Sequence, residues 1–145
     1  MEIREIAGKD AMLDSYELLL EVYPDLSLKE YSNELDLMLP HNYGQVGVFY
    51  NEELLGLTGY WVGTKLWCGK YMELDNVVVS AKHRRKGIGD ILFDHMKEKA
   101  ENLECNMLAL DTYTDNFPSH KFFFKKEYIP RGFHFIHILK EGTIR

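Results

Sequence analysis

The sequence predicts an α+β domain whose mixed, mostly antiparallel central sheet is flanked by helices. Three observations carry this reading. The chain has 145 residues, 46% hydrophobic and 28% charged, which is the size and balance of one globular domain. Apolar segments in the first half come in hairpin spacing, whereas the second half runs strand, helix, strand. No repeat or linker-like stretch interrupts them, so residues 1–145 are expected to form a single domain.

Taken in order, Met1 to Ala7 alternates loosely and opens the sheet. Asp10 starts a helical pattern, with Met12, Leu13, Tyr16, Leu19, Leu20 and Tyr23 at spacings of three and four, and Pro24 closes it. Ser27 to Leu39 is a second, shorter helix ending at Pro40. Gln45 to Tyr50 and Leu54 to Val62 form a hairpin about Asn51-Glu52-Glu53. A turn-rich connector, Gly63 to Gly69, leads to a third strand, Tyr71 to Val79, with a β-branched end. The period then changes. Gly87 to Asn102 carries Ile88, Ile91, Leu92, Met96 and Ala100 on one stripe, opposite Asp90, Asp94, Lys97, Glu98 and Glu101. Asn106 to Leu110 reads as a buried strand, and Asn116 to Lys126 as a short helix. Tyr128 to Lys140 is expected to hold two more strands, broken near Pro130-Arg131-Gly132.

Charge and composition exclude several classes of function. Seventeen Lys and Arg against 23 Asp and Glu give a net charge of -6, which argues against nucleic-acid binding. An acidic surface tolerates a cationic small substrate, although plain solubility is the simpler reading. No apolar run of about 18 residues spans a membrane, and the charged N-terminus lacks the apolar core of a secretory signal. Cys68 and Cys105 are too few for a disulfide framework and read as reduced thiols, which suggests a cytoplasmic protein.

The segment richest in chemistry runs from Val77 to Gly89. A buried strand passes into a basic, glycine-bearing loop, Ser80-Ala81-Lys82-His83-Arg84-Arg85-Lys86, which opens a helix. Gly87 and Gly89 allow close backbone approach. The unpaired N–H groups of the helix start add partial positive charge, and Arg84, Arg85 and Lys86 surround it. Together they suit a pyrophosphate; the plain alternative is a turn with a solvated basic face. Two other phosphate motifs fail. Gly63 to Tyr71 has Tyr71 where a P-loop needs Ser or Thr, and Leu92 stands where a third glycine would complete a dinucleotide fingerprint.

Arg84-x-x-Gly87-x-Gly89, following a strand that ends in Val77-x-Val79, resembles the acyl-CoA-binding motif of the GNAT N-acetyltransferases. A second block, Leu108-x-Leu110-Asp111 and then Asn116-x-x-Ser119-x-x-Phe122-Phe123-x-x-x-Glu127-Tyr128, resembles that family's N-x-x-A-x-x-F-Y-x-x-x-G-F segment. The resemblance is specific from about Tyr71 to His134 and extends to the N-terminal half only in element order. It implies a single N-acetyltransferase domain with acetyl-CoA as co-substrate and no metal. Backbone groups of Val77, Val78 and Val79 would hold the pantetheine arm, freed by a neighbouring strand that splays away. Amides from Arg85 to Asp90, thus Arg85, Lys86, Gly87, Ile88, Gly89 and Asp90, would hold the pyrophosphate beside Arg84. Asn116 would reach the pantetheine, and Ser119, Phe122 and Phe123 would line the coenzyme. The chain departs from the pattern at Phe123, which stands where Tyr often serves as general acid, and at Glu127, which replaces Gly and suggests a different turn.

Amine acylation needs a neutral amine, hence a base. Glu73 and Asp75 precede Val77, and period 2 places both on the face of Val77 and Val79. Glu73 also occupies the position, six residues before Val79, where some members of that family carry a catalytic glutamate. A solvated or salt-bridged carboxylate is the alternative. Cys105 reads as a packed core thiol. His134 and His137 fall on opposite faces of a strand and form no metal site. Tyr23, Tyr31, Tyr43, Tyr60 and Trp61 would line a groove for a cationic amine, or serve simply as core and rim.

The function expected is acetyl transfer from acetyl-CoA to a primary amine of a small molecule or peptide, with the N–H of Val79 stabilising the oxyanion. Two other classes compete: an acyl-CoA-sensing module without turnover, which Phe123 favours, and an interaction protein with an incidental phosphate nest. Homodimers are common among domains of this kind.

Overall fold

Two tight turns shape the sheet of the N-terminal part of the chain. Asn51 and Glu52 both take a left-handed φ, 48° and 64°. This is the two-residue turn whose twist matches paired strands. It joins β2 (Tyr43–Tyr50) to β3 (Glu53–Lys65). At the other end of β3 the chain turns back into β4 (Gly69–Val79), with Gly69 at φ 75°. Both strands therefore run past the ends expected from sequence. β1 (Glu2–Glu5) pairs with β2, and β5 (Met107–Leu110) with β4, giving the order β1-β2-β3-β4-β5. Only the β4–β5 pairing is parallel, so the sheet is mixed and mostly antiparallel.

The structure, a computed structural model, describes all 145 residues. They divide into two compact units, Met1–Leu110 and Asp111–Arg145.

In the first unit, the helix expected from Asp10 to Tyr23 is two helices, α1 (Lys9–Leu13) and α2 (Tyr16–Leu19). The break has a local cause. The Met12 carbonyl accepts from the Ser15 hydroxyl at 2.6 Å and from the Tyr31 hydroxyl at 2.8 Å, so it is drawn out of a continuous helical ladder. α3 (Leu28–Met38) starts on a full capping box. Ser27 Oγ accepts from the Glu30 amide at 3.0 Å, and Glu30 Oε1 accepts from the Ser27 amide at 3.3 Å. α4 (Ile88–Asn102) follows β4 and buries Ile88, Leu92, Phe93, Met96 and Ala100.

The two faces of the sheet carry different helices. Leu57 packs with Met12, Leu18, Leu19, Leu26, Tyr31 and Leu35 of the α1–α3 layer. Gly56, its neighbour, faces the other way; a Cβ there would lie 2.8 Å from Ile88 Cγ2 and 3.5 Å from Leu92 Cδ1. That close approach seats α4 on the opposite face. β5 is only half-buried, not buried as its apolar run suggested, because it is the last strand in the sheet order.

One irregularity redirects the end of β4. Gly59 pairs with Asp75 and Leu57 with Val78, so the single residue Thr58 stands opposite both Asn76 and Val77. This is a β-bulge in β4, with Asn76 at φ 53°. The extra residue reverses the alternation. Val78 joins the α1–α3 core with Leu57, and Val77 and Val79 turn to the other face, away from Glu73 and Asp75. The shared face expected from an uninterrupted period of two does not form.

In the second unit, α5 (Phe117–Lys125) ends with the Tyr128 amide donating to the Phe123 carbonyl and the Glu127 amide to the Phe124 carbonyl, both at 3.0 Å. That is a Schellman cap, which needs a left-handed residue, and Glu127 supplies it at φ 68°. The turn at Glu127 is thus the one a glycine would make, not a different one. Glu127→Gly should stabilise the folded chain by about 1 kcal/mol, since a side chain in this region costs roughly that much. Thermal unfolding would show it as a rise of about 2–4 °C.

The two strands expected within Tyr128 to Lys140 are absent; nothing after α5 is helix or strand. Pro130 offers no N–H to a ladder. Ile129, Phe133, Phe135, Ile136 and Leu139 are all at least 66% exposed, so alternation buries no face. With no strand there, His134 and His137 have no strand faces to share; His134 Nδ1 instead lies 2.9 Å from Asp111 Oδ2.

Candidate active site

The end of β4 and the start of α4 bring the expected diphosphate-binding residues together. After Ser80 a short 3₁₀ turn, Ala81–His83, is closed by the His83 amide donating to the Ser80 carbonyl at 2.8 Å. The chain then takes left-handed conformations at Arg85, φ 64°, and at Gly87, φ 76°, before entering α4. Gly87 is the N-cap, with no side-chain cap, and a Cβ there would meet nothing within 4 Å. The N-cap Gly87 and the first-turn residues Ile88 and Gly89 leave their amides without an intrahelical acceptor, as expected of a helix start. They converge with the positive end of the helix dipole. Arg84 is 64% exposed, and Lys86 Nζ lies 3.4 Å from His83 Nδ1. Glu21, which the sequence reading overlooked, accepts from the Ala81 amide at 2.9 Å and sits 4.0 Å from Arg84.

The strand before this loop is open along one edge. β4 pairs with β5 only from Tyr71 to Leu74, where β5 ends at Leu110; Asp75 to Val79 have β3 alone as a ladder partner. The Ser80 amide donates to the Leu55 carbonyl at 2.8 Å. Antiparallel alternation therefore turns the N–H of Val79 away from β3, toward the open edge.

The two carboxylates lie on the α1–α3 face of β4, both half-buried. Glu73 stands between Trp61 of β3 and Ala109 of β5 in register. Asp75 is held at both oxygens. Its Oδ2 accepts from Trp61 Nε1 at 3.1 Å, and its Oδ1 from the Asn76 amide at 2.9 Å.

Trp61 packs on Tyr43 with ring centroids 4.9 Å apart. Tyr43 then leads into a buried polar chain. Gln45, fully buried, donates from Nε2 to the hydroxyls of Tyr31 at 2.9 Å and Tyr43 at 3.1 Å. The Tyr43 hydroxyl donates to Asn76 Oδ1 at 2.7 Å, and Asn76 Nδ2 donates to the Tyr23 hydroxyl at 2.9 Å. No buried side-chain polar atom is left without a partner. Tyr23, Tyr31, Tyr43 and Trp61 thus gather on this face as expected, whereas the Tyr60 hydroxyl bonds Glu5, 3.1 Å away.

Burial pushes the Tyr31 and Tyr43 hydroxyls above the ordinary tyrosine range. Their unfolded counterparts ionise first, near pH 10, so the stability these phenols contribute is present below that pH and lost above it. Denaturation midpoints should be flat toward neutral pH and fall above pH 10, by up to about 1.4 kcal/mol per pH unit for each phenol still protonated in the fold.

Asn116, Ser119, Phe122 and Phe123 all belong to the second unit. Asn116 is the N-cap of α5, its Oδ1 accepting from the Ser119 amide at 3.4 Å. The rings of Phe122 and Phe123 meet edge to face at 6.0 Å, and Phe123 lies 6.3 Å from Tyr128. Burial pushes the Tyr128 phenol up to about 12. Cys105 is only half-buried, at the entry to β5, rather than packed in the core. No group of three or more His, Cys, Asp or Glu side chains could hold a metal ion, and no helix is long and apolar enough to cross a membrane.

A mixed sheet opened at one strand end beside a cationic, glycine-bearing helix start is the architecture that the comparisons with known proteins recognise. Residues 9–127 match the acetyltransferase (GNAT) family, and the chain belongs to that family and is an acyltransferase. It is 20% identical over 127 residues to an uncharacterized N-acetyltransferase of Bacillus subtilis, covering 87% of this chain and 89% of that one. Among solved structures, glucosamine-6-phosphate N-acetyltransferase from Arabidopsis thaliana superposes with a TM-score of 0.74 at 15% identity, over 96% of this chain and 98% of the other. AAC(6')-Iy, in complex with the bisubstrate analog CoA-S-monomethyl-acetylneamine, superposes with a TM-score of 0.80 at 14% identity, over 96% and 97%.

Proposed function

We propose that residues 1–145 act as one N-acetyltransferase domain that moves an acetyl group from acetyl-CoA to a primary amine of a small molecule or peptide, by direct attack in a ternary complex. The observation that carries this is the corner between β4 and α4. The amides of Gly87, Ile88 and Gly89 lack intrahelical acceptors there, and the N–H of Val79 faces an edge that β5 does not cover. The loop amides, with Asp90 in the first turn of α4 and Arg84 beside them, would take the pyrophosphate; Val77, Val78 and Val79 would take the pantetheine arm. The roles that the family resemblance gives to Asn116, Ser119, Phe122 and Phe123 toward the coenzyme are part of the same proposal.

In the reaction, Glu73, directly or through a water, takes the proton from the ammonium group so that the neutral amine attacks the thioester carbonyl. The N–H of Val79 meets the charge that develops on its oxygen. Asp75, whose oxygens accept from Trp61 Nε1 and the Asn76 amide, positions Trp61 and is the second candidate for the base. Trp61 and the two carboxylates give the acceptor side an aromatic and anionic character that suits a cationic amine. Phe123 donates no proton, so CoA leaves as the thiolate when the tetrahedral adduct collapses, which is tolerable for a thiol near neutral pH, and the proton still carried by the attacking nitrogen passes to that thiolate or to solvent.

Phe123 also favours a second reading, a domain that binds acyl-CoA without turnover. Thiol release from acetyl-CoA across polyamines, aminoglycosides, amino acids and peptides separates the two: release with one class supports the enzyme, and CoA binding without release in any class supports the sensor. Failure of CoA to raise the melting temperature removes both.

A further inference from the structure

We propose that Glu21 is a positioning residue that shares Arg84 with the coenzyme's diphosphate, so that the guanidinium passes from the carboxylate to the phosphates as coenzyme binds and returns as CoA leaves. The inference rests on the coenzyme reading of the β4–α4 corner.

The two partners are held unequally. Glu21 lies in the turn after α2, where its amide donates to the Leu18 carbonyl at 3.1 Å. The Val22 and Tyr23 amides donate to the Leu19 carbonyl at 3.0 and 2.9 Å. Leu18 and Leu19 are buried in the α1–α3 core, so the backbone that carries the carboxylate is fixed. The carboxylate is fixed as well, because its Oε1 accepts from the Ala81 amide at 2.9 Å. Ala81 opens the 3₁₀ turn of the loop, and Ser80, the N-cap there, makes no side-chain cap. Glu21 supplies that cap from another layer of the fold. Arg84 is the opposite case. Its side chain is mostly exposed, and Nη2 stands 4.0 Å from Glu21 Oε1, beyond hydrogen-bond reach. A fixed anion faces a mobile cation.

Magnitudes decide which anion takes the guanidinium. An exposed ion pair favours its own contact by up to about fivefold. A charge-assisted bond to a phosphate oxygen favours its contact by at least about tenfold. Arg84 therefore leaves Glu21 when a diphosphate reaches the start of α4, and no hydrogen bond has to break for it to do so. The carboxylate stays behind on the Ala81 amide as the competing partner. It lowers the affinity for coenzyme by the worth of the pair that was given up, and it takes the guanidinium back when CoA departs. The site is thereby set below its greatest affinity, which suits a reaction that must release CoA after every turnover.

The test is a double-mutant cycle on CoA binding, measured by calorimetric titration of the full chain, and it needs no acceptor amine. Glu21→Gln keeps an oxygen for the Ala81 amide and removes only the charge. It should tighten CoA about two- to fivefold at low salt. The gain should vanish in the Arg84→Ala background, where no guanidinium is left to share, and should fade as salt is raised toward about 1 M. Glu21→Ala removes the cap along with the charge, so it should bind CoA more weakly than Glu21→Gln and melt at a lower temperature. A merely structural Glu21 predicts a different pattern: weaker CoA binding in Glu21→Gln, by the same factor with and without Arg84, and at every salt concentration. Unchanged or weaker binding in Glu21→Gln overturns the proposal. So does an equal gain in both backgrounds, which would make Glu21 a plain repulsive charge. Absence of CoA binding by the wild type is a separate result, and it removes the coenzyme reading itself together with this inference.

Discussion

Glu73→Gln is expected to lower kcat by about 10²–10⁴, the usual contribution of a positioned base. Glutamine keeps the size and a hydrogen-bonding oxygen but takes no proton, so the change is chemical rather than steric. The strand should stay paired, since the backbone of Glu73 remains in register with Trp61 and Ala109. The pH–rate profile is the sharper readout. In the wild type, kcat/KM should fall toward acid as the base is protonated, and the variant should lose that limb. An unaltered profile would clear Glu73 and return the role to Asp75, whose Asp75→Asn variant should otherwise act mainly by loosening Trp61.

The second large effect concerns the loop. Gly87→Val places a β-branched side chain at φ 76°, where only glycine sits without strain. The volume around it is open, so the loss comes from the backbone and not from a clash. The amides that converge at the start of α4 would be re-aimed, and CoA affinity should drop at least tenfold. Arg84→Ala removes a guanidinium that is 64% exposed and barely engaged by Glu21 at 4.0 Å. A charge-assisted bond to a diphosphate is worth about 1.5–3 kcal/mol, so its loss should cost roughly ten- to hundredfold in affinity with no loss of folded protein. Calorimetric titration with CoA measures both. Wild-type affinity in both variants would withdraw the coenzyme assignment.

Much of this was legible in the sequence because the signals were local. The capping box Ser27–Glu30, the stripe of α4 and the basic, glycine-bearing loop each announce themselves within one or two helical turns. What was hidden depends on contacts across the chain. The break after Met12 requires Tyr31, from α3, to reach its carbonyl. The bulge was the costliest omission, since it turned Val77 and Val79 away from the carboxylates. A signal for it exists: Asp75-Asn76, two residues that strands disfavour, interrupt an otherwise β-prone run. The C-terminal alternation misled for the opposite reason. Phe133, Phe135 and Ile138 have strand chemistry, but a strand exists only with a neighbour to bond, and the order of the sheet stops at β5. Glu127 shows that a pattern departure in sequence need not be one in conformation, because its backbone takes the glycine-like geometry anyway.

The seating of α1–α3 and α4 on opposite faces of β3 has a consequence for how such a protein diversifies. On the proposed reading, drift or deliberate redesign of the helical layer around Tyr23, Tyr31 and Leu35 would recast which nucleophile is welcomed, while an anchor for the acyl donor on the far side would be inherited unaltered.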